Sequence, residues 1–353
     1  MSVKKEIKIT LPDGSEVSHP DGATGYDIAH AISPGLAKAA IAIKVDGLAM
    51  DILAPIKTDC SVEILTFDSL EGKQIFWHSS SHIMAQAVLD IFPDAKLAIG
   101  PAIEEGFYYD FDVEKPFSPE DLEKIEKRMG EIIKEKVTFK RIDIPRKEMI
   151  EKYQKDGAIY KTEILENDIT DDMVTYYRHS NFEDLCRGPH IPSSSIIKAF
   201  KLTTSSGAYW RGDENKKMLQ RIYGISFPKK SMLEDYLYRL EEAKKRDHRM
   251  LGKQMELFHI TNEVGAGLVL WMPKGAIIRN EIENFWREEH IKNGYELREI
   301  LKSIFHFSDL ANISPNRLIS HNFFKGGPYC PIIRILMPQL GINHLLSCFS
   351  CHV

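Results

Sequence analysis

The hydrophobic period of the chain switches between two and 3.6 residues, and these switches constrain its fold more than any other feature. In "KEIKITL" apolar and polar residues alternate, "PDGS" supplies a turn, and "EVSH" resumes the alternation, the pattern of two strands joined by a tight turn. "TGYDIAHAI" then takes helical spacing behind a threonine cap, and "AAIAIKVDG" and "SVEILTF" read as further strands. Strands around one helix predict a small β-grasp module over residues 1–66. It shows no catalytic constellation, so it reads as a docking or RNA-contact accessory.

Residues 67–228 mix the two periods. "HSSSHIMAQAVLDIF" places Ile83, Ala87, Val88 and Ile91 on one helix face. "AIGPAIEEGFYYDFD" reads as strand and turn. In "SPEDLEKIEKRMGEIIKEK" Ser118 is an N-cap and Pro119 the first helical residue, with Leu122, Ile125, Met129, Ile132 and Ile133 facing inward. "FKLTTSSGAYWRGDENKKMLQRIYGISF" reads as an alternating strand that turns helical. From 229 to about 250 the chain predicts one long charged helix with pairs such as Glu241–Lys245. Residues 251–297 predict a strand, a Pro-Lys-Gly turn and an amphipathic helix. The fold class expected is α+β.

A chain of 353 residues is too long for one ordinary core and predicts two or three domains. The net charge of −5 excludes a global basic field, so any RNA contact needs a local basic face, which the charged helix could offer. Five cysteines, Cys60, Cys186, Cys330, Cys348 and Cys351, are few and odd in number, which fits a reducing cytoplasm. The first residues carry lysines but no apolar run, so no secretory leader is expected. Residues 298–353 differ in character, with 7 of the 97 charged residues and three of the five cysteines. The 19 residues after Arg334 carry no Asp, Glu, Lys or Arg, yet Pro338, Gln339, Gly341, Asn343 and His344 break them up too often for a membrane span.

Two spacings point to chemistry. "HSSSH" puts His78 and His82 four residues apart, on one helix face within reach of one atom. "CRGPH" puts Cys186 and His190 four apart around Gly188-Pro189, a rigid turn that lets sulfur and imidazole converge without a helix. Three histidines and a cysteine make an acceptable tetrahedral zinc set. The same groups could surround an ester and position water, with Asp184 orienting a base. Each spacing could also be incidental, a helix face and a turn with a buried cysteine.

The ordered series "WHSSSHIMAQAV", "AIGPAIEEGFYYDFD", "DLCRGPHIPS", "FKLTTSSGAYWRGDENKKMLQRIYG" and "EEAKKRDHRMLGKQMELFH" resembles threonyl-tRNA synthetases of the bacterial type. The resemblance covers residues 1 to about 297. It implies a ubiquitin-like TGS domain over 1–66, an editing domain over 67–228, a linker helix over 229–250 and the start of a class II catalytic domain over 251–297. By position it assigns editing roles to His78, His82, Lys161, Cys186 and His190, with Tyr109 and Asp184 binding substrate. The reaction implied is hydrolysis of serine wrongly esterified to threonine tRNA, in a site that needs no metal. Zinc on His78, His82, Cys186 and His190 is the alternative, as in related alanyl-tRNA editing domains. The partner implied is tRNA, with a homodimer through the motif 1 region and no membrane.

From Arg298 the resemblance stops. ATP, magnesium and zinc serve the full-length family, but the motifs that would hold them have no match, so a shifted frame or interrupted gene near 298 is expected. Cys330, His344 and His352 accordingly carry no zinc assignment. Three functions follow. The first is a synthetase by descent that keeps at most editing. The second is a free-standing trans-editing hydrolase. The third is a non-catalytic RNA-binding module.

Overall fold

The alternation at the start of the chain forms a hairpin, β1 (Glu6–Thr10) against β2 (Glu16–Pro20), with Ile7 and Ile9 buried beneath it. The structure is a computed structural model that describes residues 6–261 and 268–295, with one compact unit up to Tyr236 and a second from Leu237. Helix α1 (Gly25–Ile32) starts at Thr24, whose hydroxyl accepts from the Asp27 N–H while the Asp27 carboxylate accepts from the Thr24 N–H. Helix α2 (Pro34–Ala39), capped by Ser33, is too short to leave a periodic signal. Strands β3 (Ala40–Val45), β4 (Leu48–Asp51) and β5 (Cys60–Thr66) complete a sheet ordered β2-β1-β5-β3-β4, with β1 and β5 parallel. This is the expected β-grasp arrangement.

The segment does not close on itself. Ile41, Ala42, Leu65 and Phe67 belong to a larger core built around α3 (Leu70–Ile91). Ser69 caps α3, its hydroxyl accepting from the Gly72 N–H at 3.1 Å. The amphipathic face expected for this helix is not what forms: the stretch Ser79–Val88 is buried throughout. The helix lies against α4 (Pro119–Lys134), capped by Ser118 with Ile125, Met129 and Ile132 turned inward, and against a twisted sheet. That sheet is ordered β12 (Ala199–Tyr209), β13 (Met218–Phe227), β8 (Gly106–Asp112), β6 (Lys96–Leu97), with β7 (Ala102–Ile103) also on β8. A second sheet runs β11 (Phe182–Leu185), β10 (Met173–His179), β9 (Lys140–Pro145), with α5 (Arg146–Lys155) and α6 (Ile159–Asn167) beside it.

Residues 199–227 correct one expectation. The stretch read as turning helical is the second arm of a long hairpin, from Ala199↔Phe227 to Tyr209↔Met218. Leu219, Ile222 and Ile225 mimic a helical spacing because β13 lies between β12 and β8 and buries residues on both faces.

The charged stretch from residue 229 is likewise two helices, α7 (Lys230–Lys245) and α8 (His248–Gln254). Asp247 breaks it by capping the second, accepting from the Arg249 N–H. Met232, Leu233 and Tyr236 at the start of α7 pack on the first unit's core, and the Glu241–Lys245 pair forms at 3.8 Å. In the second unit β14 (Phe258–Ile260) pairs with β15 (Val269–Trp271). "PKG" is not a separate turn but the first turn of α9 (Pro273–Lys292), where a side chain on Gly275 would meet the Leu257 carbonyl oxygen at 1.9 Å. Among the described residues no helix is long and apolar enough to cross a membrane. The expectations for 298–353, including the missing ATP, magnesium and zinc motifs, lie outside the described residues.

The junction between β5 and α3 allows no side chain at Gly72, where a Cβ would sit 1.9 Å from the Thr66 carbonyl oxygen. Gly72→Ala should lower the unfolding free energy by about 2–3 kcal/mol in urea denaturation, as overpacking against backbone does. A loss below about 0.5 kcal/mol would show that the junction yields.

Candidate active site

His78 and His82 project from one side of α3, their ring centroids 4.8 Å apart. The three serines between them are fully buried, and each hydroxyl turns back to a carbonyl of its own helix. Opposite α3, β11 ends at Leu185 and delivers Cys186, whose N–H bonds the Thr175 carbonyl on β10. The chain then turns through a cis Gly188–Pro189 bond, with Gly188 at φ +68, and brings His190 back to the helix. The two spacings thus meet. His78 Nε2 lies 2.8 Å from Cys186 Sγ, His190 Nε2 lies 3.4 Å from the same sulfur, and the His78 and His190 rings stack at 4.8 Å.

The hydrogen bonds fix the tautomers. His78 Nδ1 faces the Gly100 carbonyl at 3.1 Å, which can only accept, so Nδ1 carries the proton. Gly100 can come this close because it has no side chain; a Cβ there would lie 2.1 Å from the Tyr109 ring. His190 Nδ1 faces Ser79 Oγ at 3.0 Å, whose own proton goes to the Ile75 carbonyl, so Nδ1 again donates. Both Nε2 lone pairs therefore converge on Cys186, whose single thiol proton can serve only one of them. Burial, with the Asp184 charge adding to it, pushes that thiol up to about 12 and keeps it protonated.

The other half of the site is ionic. Lys161, on α6, is 5% exposed, and its Nζ lies 2.5 Å from Asp184 Oδ1 and 3.1 Å from the Tyr109 hydroxyl. Tyr109, on β8, donates to Asp184 Oδ2 at 2.5 Å. Burial first, and then the Asp184 carboxylate, hold the Tyr109 hydroxyl well above its usual range. His82 Nε2 is 3.9 Å from Asp184, and His82 Nδ1 is buried with no hydrogen-bond partner among the described residues. All seven residues singled out in the sequence border one another, and five of them, His78, His82, Lys161, Asp184 and Cys186, line a cavity of about 1140 Å³. Tyr109 and His190 stand behind that lining.

Sequence reasoning missed four members of the surroundings. Gly100 and Ser79 set the imidazole tautomers. His179, on β10, is buried 6.5 Å from His82, and burial lowers it to about 4. Asp51 comes from the first segment, where no catalytic group was expected. The "SSS" between the histidines was the one available signal, since a polar triplet inside a buried helix needs partners.

The donor set tests positively for a zinc-type ion: one nitrogen or sulfur each from His78, His82, Cys186 and His190 lies within 4.8 Å of the others. Burial lowers all four imidazoles, His78, His82, His179 and His190, so they are neutral in the folded chain. In the unfolded chain they take up protons near pH 6.5. Stability is then complete above about pH 7 and falls as pH drops from 6.5 toward 4, with His179 alone contributing about 3 kcal/mol of that fall. Urea unfolding at pH 7.5, 6 and 5 should show steadily lower free energies before the carboxylates titrate. A flat profile over that window would contradict the burial of these rings.

Two family models match the chain. Residues 7–66 match the TGS domain, and residues 174–223 match the threonyl and alanyl tRNA synthetase second additional domain. The threonine–tRNA ligase of Desulforamulus reducens is 52% identical over 290 residues, which cover 82% of this chain and 46% of the relative. That of Citrifermentans bemidjiense is 54% identical over 292 residues, covering 83% and 46%. The threonine–tRNA ligase of Acetivibrio thermocellus is 52% identical over 290 residues, again 82% and 46%. The chain spans about half the length of the curated relatives it matches. Two domain matches and this identity across four-fifths of the chain show that it matches the N-terminal portion of threonyl-tRNA synthetases.

Proposed function

We propose that the cavity hydrolyses the ester linking serine to the 3′ end of threonine tRNA. The observation that carries this reading is a buried Lys161 ammonium, fixed by Asp184 and Tyr109, across one cavity from the unprotonated Nε2 of His78. Ester hydrolysis needs a base for water and positive charge near the carbonyl oxygen. His78 is the imidazole that is both neutral and only partly buried, so it is the base water can reach. Water attacks the ester carbonyl carbon and gives its proton to His78. The bond from that carbon to the ribose oxygen then breaks, and the proton passes to the ribose oxygen. Lys161 steadies the developing oxyanion, and Asp184, held from behind by Tyr109, orients the serine amine and hydroxyl. His82 forms part of the pocket's polar wall, with His190 packed behind it. Cys186, protonated, lines it rather than attacking.

A cavity of about 1140 Å³ exceeds the needs of serine and accommodates the terminal nucleoside as well. Separate hydrolysis is required because serine differs from threonine by one methyl group, worth only about 1–3 kcal/mol in a binding pocket. The tRNA partner and a reducing, cytoplasmic setting follow from this reading, and Cys60 and Cys186 are both free thiols. Helix α9 exposes Ile277, Ile282 and Trp286, which we assign to contact with a second copy, so Ile282→Asp should lower the dimer fraction in sedimentation if that face pairs.

His78→Ala should slow deacylation of seryl-tRNA at least about a hundredfold, the usual worth of a general base. Lys161→Ala should do the same. It also leaves Asp184 buried without its counter-ion, so its melting must be followed alongside. Undiminished hydrolysis by a folded His78→Ala chain would sink the assignment. The convergence of two Nε2 lone pairs on one sulfur favours a second reading, in which these four donors hold zinc. One equivalent of zinc retained after gel filtration, and lost in Cys186→Ser, would establish it. A metal-free chain with full hydrolysis would remove it.

A further inference from the structure

Asp51 closes β4, far in sequence from the other members of the site, and its carboxylate is bonded to that site. Its Oδ1 accepts from the His190 N–H at 2.8 Å and its Oδ2 from the Tyr177 hydroxyl at 2.7 Å. These bonds span 139 and 126 residues. Tyr177 in turn supports the same turn from below. Its ring lies 4.3 Å from the His190 ring at 61°, and a Cβ on Gly188 would meet its hydroxyl at 2.1 Å. One carboxylate therefore grips the turn twice, at its backbone and through the ring beneath it.

We infer that Asp51 is a positioning residue for the site: it fixes the Cys186–His190 turn opposite His78, so that the N-terminal β-grasp segment forms part of the site's architecture. The inference deepens the hydrolytic reading and rests on it for its consequence in rate. His190 is held from two sides, by Ser79 on α3 and by Asp51 on β4. Without Asp51 the Ser79 anchor remains and the fold persists, but the turn can drift. The carboxylate is set into the protein rather than lying on its surface. Burial raises its proton affinity, and the His190 and Tyr177 bonds and the nearby Arg141 oppose that rise. An isolated carboxylate would not be kept in such a place without partners. Its charge also adds to the groups that keep the Cys186 thiol protonated.

The test uses the full chain with Asp51→Ala, Asp51→Asn and Tyr177→Phe. Seryl-tRNA deacylation is measured under single-turnover conditions, and alkylation of Cys186 by iodoacetamide is followed by peptide mass spectrometry. A small displacement of a reacting geometry costs about ten- to a hundredfold in rate. Asp51→Ala should lose at least about tenfold in the chemical rate with little change in tRNA affinity. Asp51→Asn keeps an acceptor for the His190 N–H and should recover most of the rate, with Tyr177→Phe between the two. Cys186 should be alkylated several-fold faster in Asp51→Ala. Hydrolysis and alkylation both at wild-type rates in Asp51→Ala would overturn the inference. So would equal losses in the Ala and Asn variants that track a lowered melting temperature, since that marks a general structural role. If the unaltered chain hydrolyses no seryl-tRNA, the hydrolytic reading fails by itself and alkylation decides: faster labelling in Asp51→Ala supports the positioning role, and unchanged labelling overturns it.

Discussion

A stretch of helix enclosed by protein, as Ser79–Val88 of α3 is, must satisfy its polar side chains without water, and the rest of this structure depends on how it does so. Ser79, Ser80 and Ser81 each bond a carbonyl of their own helix, then a second element. Ser79 reaches His190 and the Ile191 N–H, Ser80 receives the Ser226 hydroxyl from β13, and Ser81 reaches the Gly100 carbonyl before β7. Three consecutive residues point in three directions around a helix, so one triplet ties the helix to three parts of the fold. Leaving any of these hydroxyls unpaired in such a place would cost on the order of 1–3 kcal/mol. The histidines on either side inherit fixed positions from that arrangement.

The same enclosure sets the electrostatics. A low-dielectric interior disfavours added charge, so the imidazoles stay neutral and the thiol stays protonated, while one ion pair is kept by mutual contact. The site thus separates its duties in space: lone pairs on the α3 side, and a fixed positive charge with its carboxylate and phenol on the α6 and β8 side.

Much of this was legible in the sequence, for reasons that can be named. The first hairpin, the capped helices at Thr24 and Ser118 and the inward face of α4 depend on neighbours within a few residues, and local patterns carry them. Two four-residue spacings pointed to His78, His82, Cys186 and His190, whereas Lys161 and Tyr109 came only through the long motifs, since neither lies in a recognisable local pattern. The failures were tertiary. An apolar central strand copied a helical period at Leu219, Ile222 and Ile225, and a single aspartate at 247 divided what composition presented as one helix. Asp51 was invisible because its importance comes from a contact 139 residues away.

The hydrogen bond from the Trp77 indole to the Ser226 carbonyl spans 149 residues of chain. On a ribosome the β-grasp segment can pair its strands early, yet α3 emerges long before β13, the strand that covers it. Until residue 226 has been made, Trp77 and Ser80 have no distant partners, and the buried face of α3 stays open. Assembly of this pocket therefore waits for β13, slow in the way that long-range contacts are slow, and the nascent chain grows from Ile91 to Phe227 with that helix exposed to other partners.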